Sequence, residues 1–269
     1  MVQDDLFLTD GASPACPLMM KLLIRSKNDG ILIPVAQYPL YSACAVLYNG
    51  AMVPYYLDES NDWATDVNSI REATEKAKAE GSNVRAIVVI NPGNPTGNTL
   101  SLTNQTEIVK YAEKEGLVIL ADEVYQENVY RDGVEWYSFK KVVKDAGADV
   151  QVASMHSASK GYYGECGKRA GYLEMYNFDP DVKACVVKLA SVALCSNVSG
   201  QVLMWMIMNP PKEGDASYEL FAKERDATTS SYKRRARLLV DGLRKIDSVT
   251  CNDIGGALYA FPTLKLSEV

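Results

Sequence analysis

The stretch that decides the fold is Arg85-Ala-Ile-Val-Val-Ile-Asn-Pro-Gly-Asn-Pro-Thr-Gly97. After Arg85, the next five residues form a short apolar run, which is typical of a strand buried on both faces. The run stops at Asn91, where two prolines and two glycines in seven residues indicate a rigid loop. A helical pattern over Leu102–Glu115 follows and ends at Gly116. Strand, loop and helix in this order predict one βαβ unit of a parallel sheet.

The same alternation extends along most of the chain. Further strands are predicted at Ile31–Ala36, Ala51–Leu57, Leu117–Ala121, Val150–Ser154 and Ala170–Met175, and helices at 65–80, 181–195, 200–208 and 217–245. We therefore predict an α/β fold with a mainly parallel, mixed sheet between two layers of helices. One large domain is expected over residues 1–215. Residues 216–269 are expected to form a connecting helix and the start of a small C-terminal α/β domain, with strand character around Ala257–Phe261.

Composition excludes several classes of protein. The net charge of −6 argues against a nucleic-acid-binding protein. No apolar stretch approaches the roughly 20 residues of a membrane-spanning helix. A single histidine and six irregularly spaced cysteines argue against a metal site and against a disulfide framework. We therefore predict no metal and a reducing, intracellular setting.

Candidate functional residues follow the predicted strands, because sites in open α/β sheets lie at the carboxyl ends of the strands. Asn94 lies in the rigid loop after the first strand described above. Asp122 and Tyr125 follow the next strand and would share a face of a helical turn. Each residue also has an ordinary structural explanation, a turn for Asn94 and an N-cap for Asp122.

A lysine and a helix start complete the set. Lys160 follows a strand among serines and glycines, and a neighbouring cation such as Arg169 favours the neutral amine, which attacks carbonyls. A solvated surface lysine is the plain alternative. Near the N-terminus, Ser13 before Pro14 reads as an N-cap whose free backbone N–H groups can bind phosphate.

These parts call for a ligand with a phosphate, a basic ring nitrogen, a phenolic oxygen and an aldehyde. Pyridoxal 5′-phosphate has all four groups. A carboxylate keeps its ring nitrogen protonated, which makes the ring an electron sink, and a lysine bonds to its aldehyde.

At this point the sequence resembles a known family, the fold type I (class I/II) aminotransferases, and within it the alanine aminotransferases. The motifs that carry the resemblance are 91–97, Ala121-Asp-Glu-Val-Tyr-Gln126, the lysine segment Ser157–Gly171 with Gly164-Glu-Cys-Gly167, Ile33–Ser42, Leu194–Gln201 and Gly255–Pro262. They are spread over essentially the whole chain.

The resemblance implies a role for each candidate. Lys160 would form the Schiff base with the cofactor and shuttle the substrate proton, and Asp122 would pair with the pyridinium nitrogen. Tyr125 and Asn94 would bind the phenolic oxygen, and Tyr38 would stack on the ring. The phosphate ligands it implies are the amides of Ala12 and Ser13, the Ser13 hydroxyl, Ser157 and Arg169.

The resemblance also implies the reaction, which is transfer of an amino group from L-alanine to 2-oxoglutarate, giving pyruvate and L-glutamate in a homodimer. Small amino acids and 2-oxo acids are the expected partners, with no nucleic acid and no membrane. The expected location is cytoplasmic, with an organelle left open. The chain is expected to lack the family's N-terminal segment and most of its C-terminal domain, including the arginine that binds the substrate carboxylate. Two alternatives therefore stay open: a cofactor-binding core without full activity, or another fold type I enzyme acting on amino acids.

Overall fold

The computed structural model describes residues 5–193 and 195–266. Ten strands are β1 Leu6–Thr9, β2 Asp29–Val35, β3 Ala51–Asp58, β4 Ala64–Thr65, β5 Asn83–Ile90, β6 Val118–Asp122, β7 Val152–Ser157, β8 Gly171–Tyr176, β9 Val249–Thr250 and β10 Thr263–Leu264. Eight α-helices are α1 Ala12–Leu23, α2 Leu40–Leu47, α3 Val67–Ala79, α4 Leu102–Glu115, α5 Phe139–Ala146, α6 Pro180–Ala190, α7 Val198–Met208 and α8 Tyr218–Leu243.

Eight strands form one mixed sheet in the order β1-β8-β7-β6-β5-β2-β3-β4. Strands β3, β2, β5, β6 and β7 are mutually parallel. Strand β8 runs antiparallel to both β7 and β1, so β1 points the same way as β7. Strand β3 lies on one side of β2 and strand β5 lies on the other, so the direction in which strands are added to the sheet reverses at β2. Such a reversal creates a crevice outside the strand ends, here between β2 and β5. The predicted α/β class with a mainly parallel, mixed sheet is confirmed.

The central strands are buried on both faces, as their continuous apolar runs predict. In β5, Ile87 and Val89 pack into the core beneath α3, α4 and α5. Ala86 and Val88 point the other way, into the core beneath α1, α2 and α6. Because side chains alternate along a strand, one run of apolar residues supplies both cores.

The helix between β5 and β6 begins and ends as its sequence predicts. The Ser101 hydroxyl accepts a hydrogen bond from the Asn104 amide at 3.1 Å and caps the first turn of α4. Gly116 closes the helix in the left-handed conformation, with φ of 65°.

Three expectations about secondary structure need correction. No strand forms over Ala257–Phe261, because Gly255, Gly256 and Ala257 donate their amides to loops instead, and Ala257 has a positive φ of 57°. The sixth helix ends at Ala190, before the predicted residue 195. The sequence pattern also did not predict α2 and α5, because each helix is only eight residues long, which is shorter than the stretch over which a helical period is recognised.

Helix α8 has the smallest share of buried residues among the eight α-helices in the described ranges. Of its 26 residues, Val240 alone is buried. The proposed division of the chain after residue 215, just before this helix, stays a prediction. No helix in the described ranges has both the length and the apolar character needed to cross a membrane.

Candidate functional site

The carboxyl ends of β1, β2, β5, β6 and β7 meet around one cavity of about 180 Å³. All nine residues singled out from the sequence line it: Ala12, Ser13, Tyr38, Asn94, Asp122, Tyr125, Ser157, Lys160 and Arg169. They come from five separate segments of the chain, so only the sheet brings them together. Their chemical roles stay predictions at this point.

A wider surface cleft of about 820 Å³ lies between the starts of α3 and α4. Acidic and basic side chains are mixed along it, and none of the nine residues lines it. The smaller cavity at the strand ends is therefore the candidate site.

The cavity is lined by the buried carboxylate of Asp122. Asp122 ends β6 and is only 6% exposed. The Tyr41 hydroxyl donates to its Oδ2 at 2.7 Å, and the Val124 amide donates to its Oδ1 at 3.3 Å. Burial raises the pKa of Asp122, while these two donors and the positive charge of Lys160 oppose that shift. A cation placed next to this carboxylate would offset the cost of keeping it charged while buried, and would lower its pKa.

Two phenols and an amide form a second polar group in the cavity. The Tyr125 and Tyr259 hydroxyl oxygens are 2.8 Å apart, and the Asn94 side-chain amide donates to Tyr125 Oη at 3.4 Å. The two rings meet edge to face, with centroids 5.8 Å apart. Burial and the bond with Tyr259 raise the pKa of Tyr125, so its hydroxyl stays a hydrogen-bond donor at neutral pH.

Lys160 lies beside these phenols, three residues beyond the end of β7. Its Nζ is 5.5 Å from the centroid of the Tyr125 ring. The side chain is half-buried and lines the cavity, so its amine can meet a ligand there.

A site suited to an anion lies at the start of α1, next to Ser157 and Arg169, and we call it the anion cradle. The helix begins at Ala12 with Gly11 as its N-cap, and no side chain caps its first turn. Ser13 is therefore inside the first turn, so its predicted N-cap role is wrong. The first-turn amides remain available to an anion, which the helix dipole also favours.

Arg169 supplies the positive charge of this cradle. Its guanidinium donates to the carbonyls of Asp10 at 2.7 Å and Cys166 at 2.9 Å. Gly11 leaves room for it, because a Cβ there would lie 2.7 Å from Arg169 Nη2 and 3.6 Å from Ser157 Oγ. A helix N-terminus, a serine and an arginine thus converge where a phosphate would bind.

Two further side chains line the cavity that the sequence did not predict there, Tyr41 and Tyr259. Tyr41 lies three residues after Tyr38, and that helical spacing was the available signal. Tyr259 lies 134 residues from its partner Tyr125. It falls within the motif Gly255–Pro262, but no periodicity in that irregular segment shows that its side chain reaches the cavity. Tyr38 itself is 42% exposed at the edge of the cavity.

His156 and Cys166 lie on the same stretch of chain as Lys160, and neither is assigned a chemical role. His156 is buried against the Tyr172 ring, and burial lowers its pKa to about 4, so it stays neutral. The Cys166 side chain is exposed and lines the edge of the cavity.

The cavity fits pyridoxal 5′-phosphate at each polar end of the molecule. The cradle at α1 matches the phosphate, and buried Asp122 matches a protonated ring nitrogen. The Asn94 and Tyr125 donors match the phenolic oxygen, and Lys160 matches the aldehyde. Because the cavity has a partner for each polar group of the cofactor, it fits the cofactor better than an anion that would occupy the cradle alone.

Glu123, the residue after Asp122, points away from the cavity and serves the fold. Its carboxylate accepts from the Phe139 amide at 2.8 Å and the Ser138 hydroxyl at 3.1 Å, at the start of α5. Burial raises the pKa of Glu123 from 4.5 to about 7, and those donors oppose the shift. The native state therefore holds a proton that the unfolded chain loses above about pH 4.5.

We predict that Glu123→Gln removes a pH-dependent loss of stability. In the original chain this group's stabilising contribution is complete below about pH 4.5 and is lost as the pH rises to about 7, by about 3 kcal/mol in total. Glutamine keeps the acceptor for the Phe139 amide without titrating. Urea unfolding at several pH values measures the difference between the two proteins. Parallel stability curves for both proteins would contradict the assignment.

Comparison with known proteins agrees with this geometry. The family model described as aminotransferase class I and II matches residues 2–268. The chain is 52% identical to alanine aminotransferase 2, mitochondrial, of Arabidopsis thaliana over 98% of its own length and 50% of that protein. It is 49% identical to glutamate–glyoxylate aminotransferase 1 of the same plant, covering 97% of this chain and 55% of that protein.

Solved structures show the same fold. An alanine aminotransferase from Pyrococcus furiosus superposes with a TM-score of 0.86 at 26% identity, over all of this chain and 63% of that one. The chain spans about half the length of the curated relatives it matches. Since the family model covers nearly every residue, the chain belongs to the class I and II aminotransferases, a family that depends on pyridoxal 5′-phosphate.

Proposed function

We propose that this chain binds pyridoxal 5′-phosphate at the strand ends and transfers the amino group of L-alanine to 2-oxoglutarate, yielding pyruvate and L-glutamate. The observation that carries the proposal is the convergence of all nine candidate residues on one cavity. Lys160 is the residue proposed to bond covalently to the cofactor. When bound, the cofactor supplies a carbonyl that condenses with amines and a ring that accepts an electron pair.

Asp122 is proposed to hold the proton of the ring nitrogen. Its carboxylate is buried and already receives donors from Tyr41 and Val124, so it is fixed in place before a ligand arrives. A fixed charge of this kind costs no reorganisation during the reaction. Tyr41 thereby acts through Asp122, as a positioning residue.

The other polar groups orient the cofactor. The Asn94 amide and the Tyr125 hydroxyl are proposed to donate to its phenolic oxygen. The amides of Ala12 and Ser13, the Ser13 hydroxyl, Ser157 and Arg169 are proposed to bind its phosphate. Tyr38, at the cavity edge, is proposed to cover one face of the ring and exclude water.

Lys160 is proposed to act as the base and then the acid of the reaction. Its free amine would take the proton from the α-carbon of the amino acid and would deliver it to the carbon of the cofactor's former aldehyde group. The Tyr125 ring, whose centroid lies 5.5 Å from Nζ, is proposed to keep the amine close to the α-carbon. Proton transfer by one positioned group typically contributes about 10²–10⁴-fold in rate.

The substrate pair is the finer part of the proposal. Relatives named alanine aminotransferase and glutamate–glyoxylate aminotransferase are nearly equally similar, at 52% and 49% identity. We favour L-alanine and 2-oxoglutarate because several of the most similar relatives are named for alanine. Glyoxylate is the competing acceptor to test.

We predict that the purified chain incubated with the cofactor gains a visible absorbance band that Lys160→Ala abolishes, because the band requires the lysine bond. Adding L-alanine should remove the band, and 2-oxoglutarate should restore it more effectively than glyoxylate. Absorbance spectra measure each step.

Lys168→Ala is the matched control, since Lys168 lies on the same loop with an exposed side chain and does not line the cavity. A band of equal strength in the Lys160 variant would overturn the assignment of Lys160. A Lys160-dependent band that L-alanine leaves unchanged would indicate a cofactor-binding core, and an acceptor preference for glyoxylate would replace the proposed substrate.

We further propose that the protein works as a homodimer within the cell, in the cytoplasm or, as in the relatives named mitochondrial, in an organelle. Support for self-association comes from α7, whose buried side faces the protein through Met204 and Ile207. Its opposite side exposes Val198, Val202 and Trp205, at 66%, 54% and 67%. An apolar stripe of this kind on a surface helix marks an interaction site.

We predict that Trp205→Glu weakens self-association, because a carboxylate would have to be desolvated in the contact. Sedimentation equilibrium over a concentration series measures the change. Leu220→Glu, at an equally exposed position on α8, is the control. A monomeric parent protein, or equal effects of both substitutions, would contradict a dimer through α7.

A further inference from the structure

Asn128 is a deeply buried polar residue near the cavity to which the proposed mechanism gives no role. It is 1% exposed and follows the turn after β6. Its side-chain Oδ1 accepts a hydrogen bond from the Gly161 amide at 2.7 Å. That amide belongs to the peptide bond that joins Lys160 to Gly161, so Asn128 fixes the backbone directly after the lysine.

The backbone of Asn128 ties two more segments to the same point. Its amide donates to the Tyr125 carbonyl at 2.7 Å, and its carbonyl accepts from the Ala257 amide at 2.9 Å. The contact is close, because a Cβ at Gly256 would lie 2.6 Å from the Asn128 carbonyl oxygen. One residue therefore connects the turn with Tyr125, the loop with Lys160 and the segment that leads to Tyr259.

The geometry points to Asn128 as the positioning residue that fixes Lys160 against Tyr125, by accepting the hydrogen bond from the Gly161 amide. This inference rests on the proposed role of Lys160. A lysine side chain is long and flexible, so the reach of its amine depends on where its backbone is held. Nζ lies 5.5 Å from the Tyr125 ring centroid in this arrangement.

The chemistry of the side chain supports the assignment. In the part of the chain that the structure describes, the Asn128 Nδ2 is buried without a hydrogen-bond partner. A buried unpaired donor is unfavourable, and a leucine of similar size would avoid it. What asparagine supplies here, and leucine lacks, is a neutral acceptor oxygen for Gly161. The same loop needs the glycine itself, since Gly161 has a φ of +71°.

The test compares three substitutions in the full chain loaded with pyridoxal 5′-phosphate. Asn128→Leu removes the acceptor, whereas Asn128→Asp keeps an acceptor oxygen in either protonation state. Asn104→Leu is the control, because Asn104 also accepts a backbone amide, that of Thr65 at 3.1 Å, but lies away from the cavity. Asn128→Ala replaces the leucine variant if that protein does not fold.

Two readouts separate positioning from a merely structural role. Hydrogen exchange measures protection of the Gly161 amide, and borohydride reduction followed by mass spectrometry measures the share of bound cofactor attached to Lys160. We expect Asn128→Leu to lower Gly161 protection and the attached share by about fivefold or more, on the scale of one lost hydrogen bond. Asn128→Asp and Asn104→Leu should stay within about twofold of the parent.

The outcomes distinguish this inference from the proposed function. If the parent protein attaches no cofactor to Lys160, the proposed function fails, and Gly161 exchange alone decides whether Asn128 holds the loop. If the parent attaches cofactor and Asn128→Leu does so equally, the positioning role is overturned while the proposed function stands. An aspartate variant that behaves like the leucine variant would show that the acceptor oxygen is not what the position supplies.

Discussion

The desolvated carboxylate of Asp122 is the constraint around which the site is arranged. A buried carboxylate is unfavourable unless donors or a cation reach it. Here Tyr41 from α2 and the amide of Val124 reach it from within the chain. The Tyr41 hydroxyl also ties α2 to β6, so the crevice between β2 and β5 has a fixed wall. Strand direction decides where the other candidate residues lie, because parallel strands bring the residues at their carboxyl ends to one edge of the sheet.

A second organising feature is the contact between the loop after β5 and the residues before Tyr259. The carbonyl of Gly97 accepts the amides of both Gly255 and Gly256, at 2.8 and 3.0 Å. A Cβ at Gly97 would lie 2.7 Å from the Tyr259 carbonyl oxygen, and its φ is +70°. Glycines at this contact let two loops approach closely, and that approach brings the Tyr259 hydroxyl to Tyr125. The cavity therefore depends on a segment far along the chain.

The sequence predicts well what depends on local periodicity and on strand direction. The strand predicted at Arg85–Ile90 is observed at Asn83–Ile90, and the helix at Leu102–Glu115 has the predicted bounds. Asp122 and Lys160 could be found because they follow such strands. Tyr259 and Asn128 could not, since their contacts join segments that no periodicity relates.

The expectation of a strand around Ala257–Phe261 fails for the same reason. An apolar run favours a strand, but the amide of Ala257 bonds to the Asn128 carbonyl and its φ is positive. Tertiary contacts thus override a local preference. Likewise Ser13 is not the N-cap, because Gly11 takes that position two residues earlier and α1 begins at Ala12.

The central claim is that Asp122 keeps the ring nitrogen of the bound cofactor protonated. The most direct measurement is the ¹⁵N chemical shift of cofactor labelled at that nitrogen, bound to the parent chain and to Asp122→Ala. The account predicts a protonated nitrogen in the parent across neutral pH and an unprotonated one in the variant, since only the carboxylate stabilises the charge. An unprotonated nitrogen in the parent, or the same shift in both proteins, would contradict it.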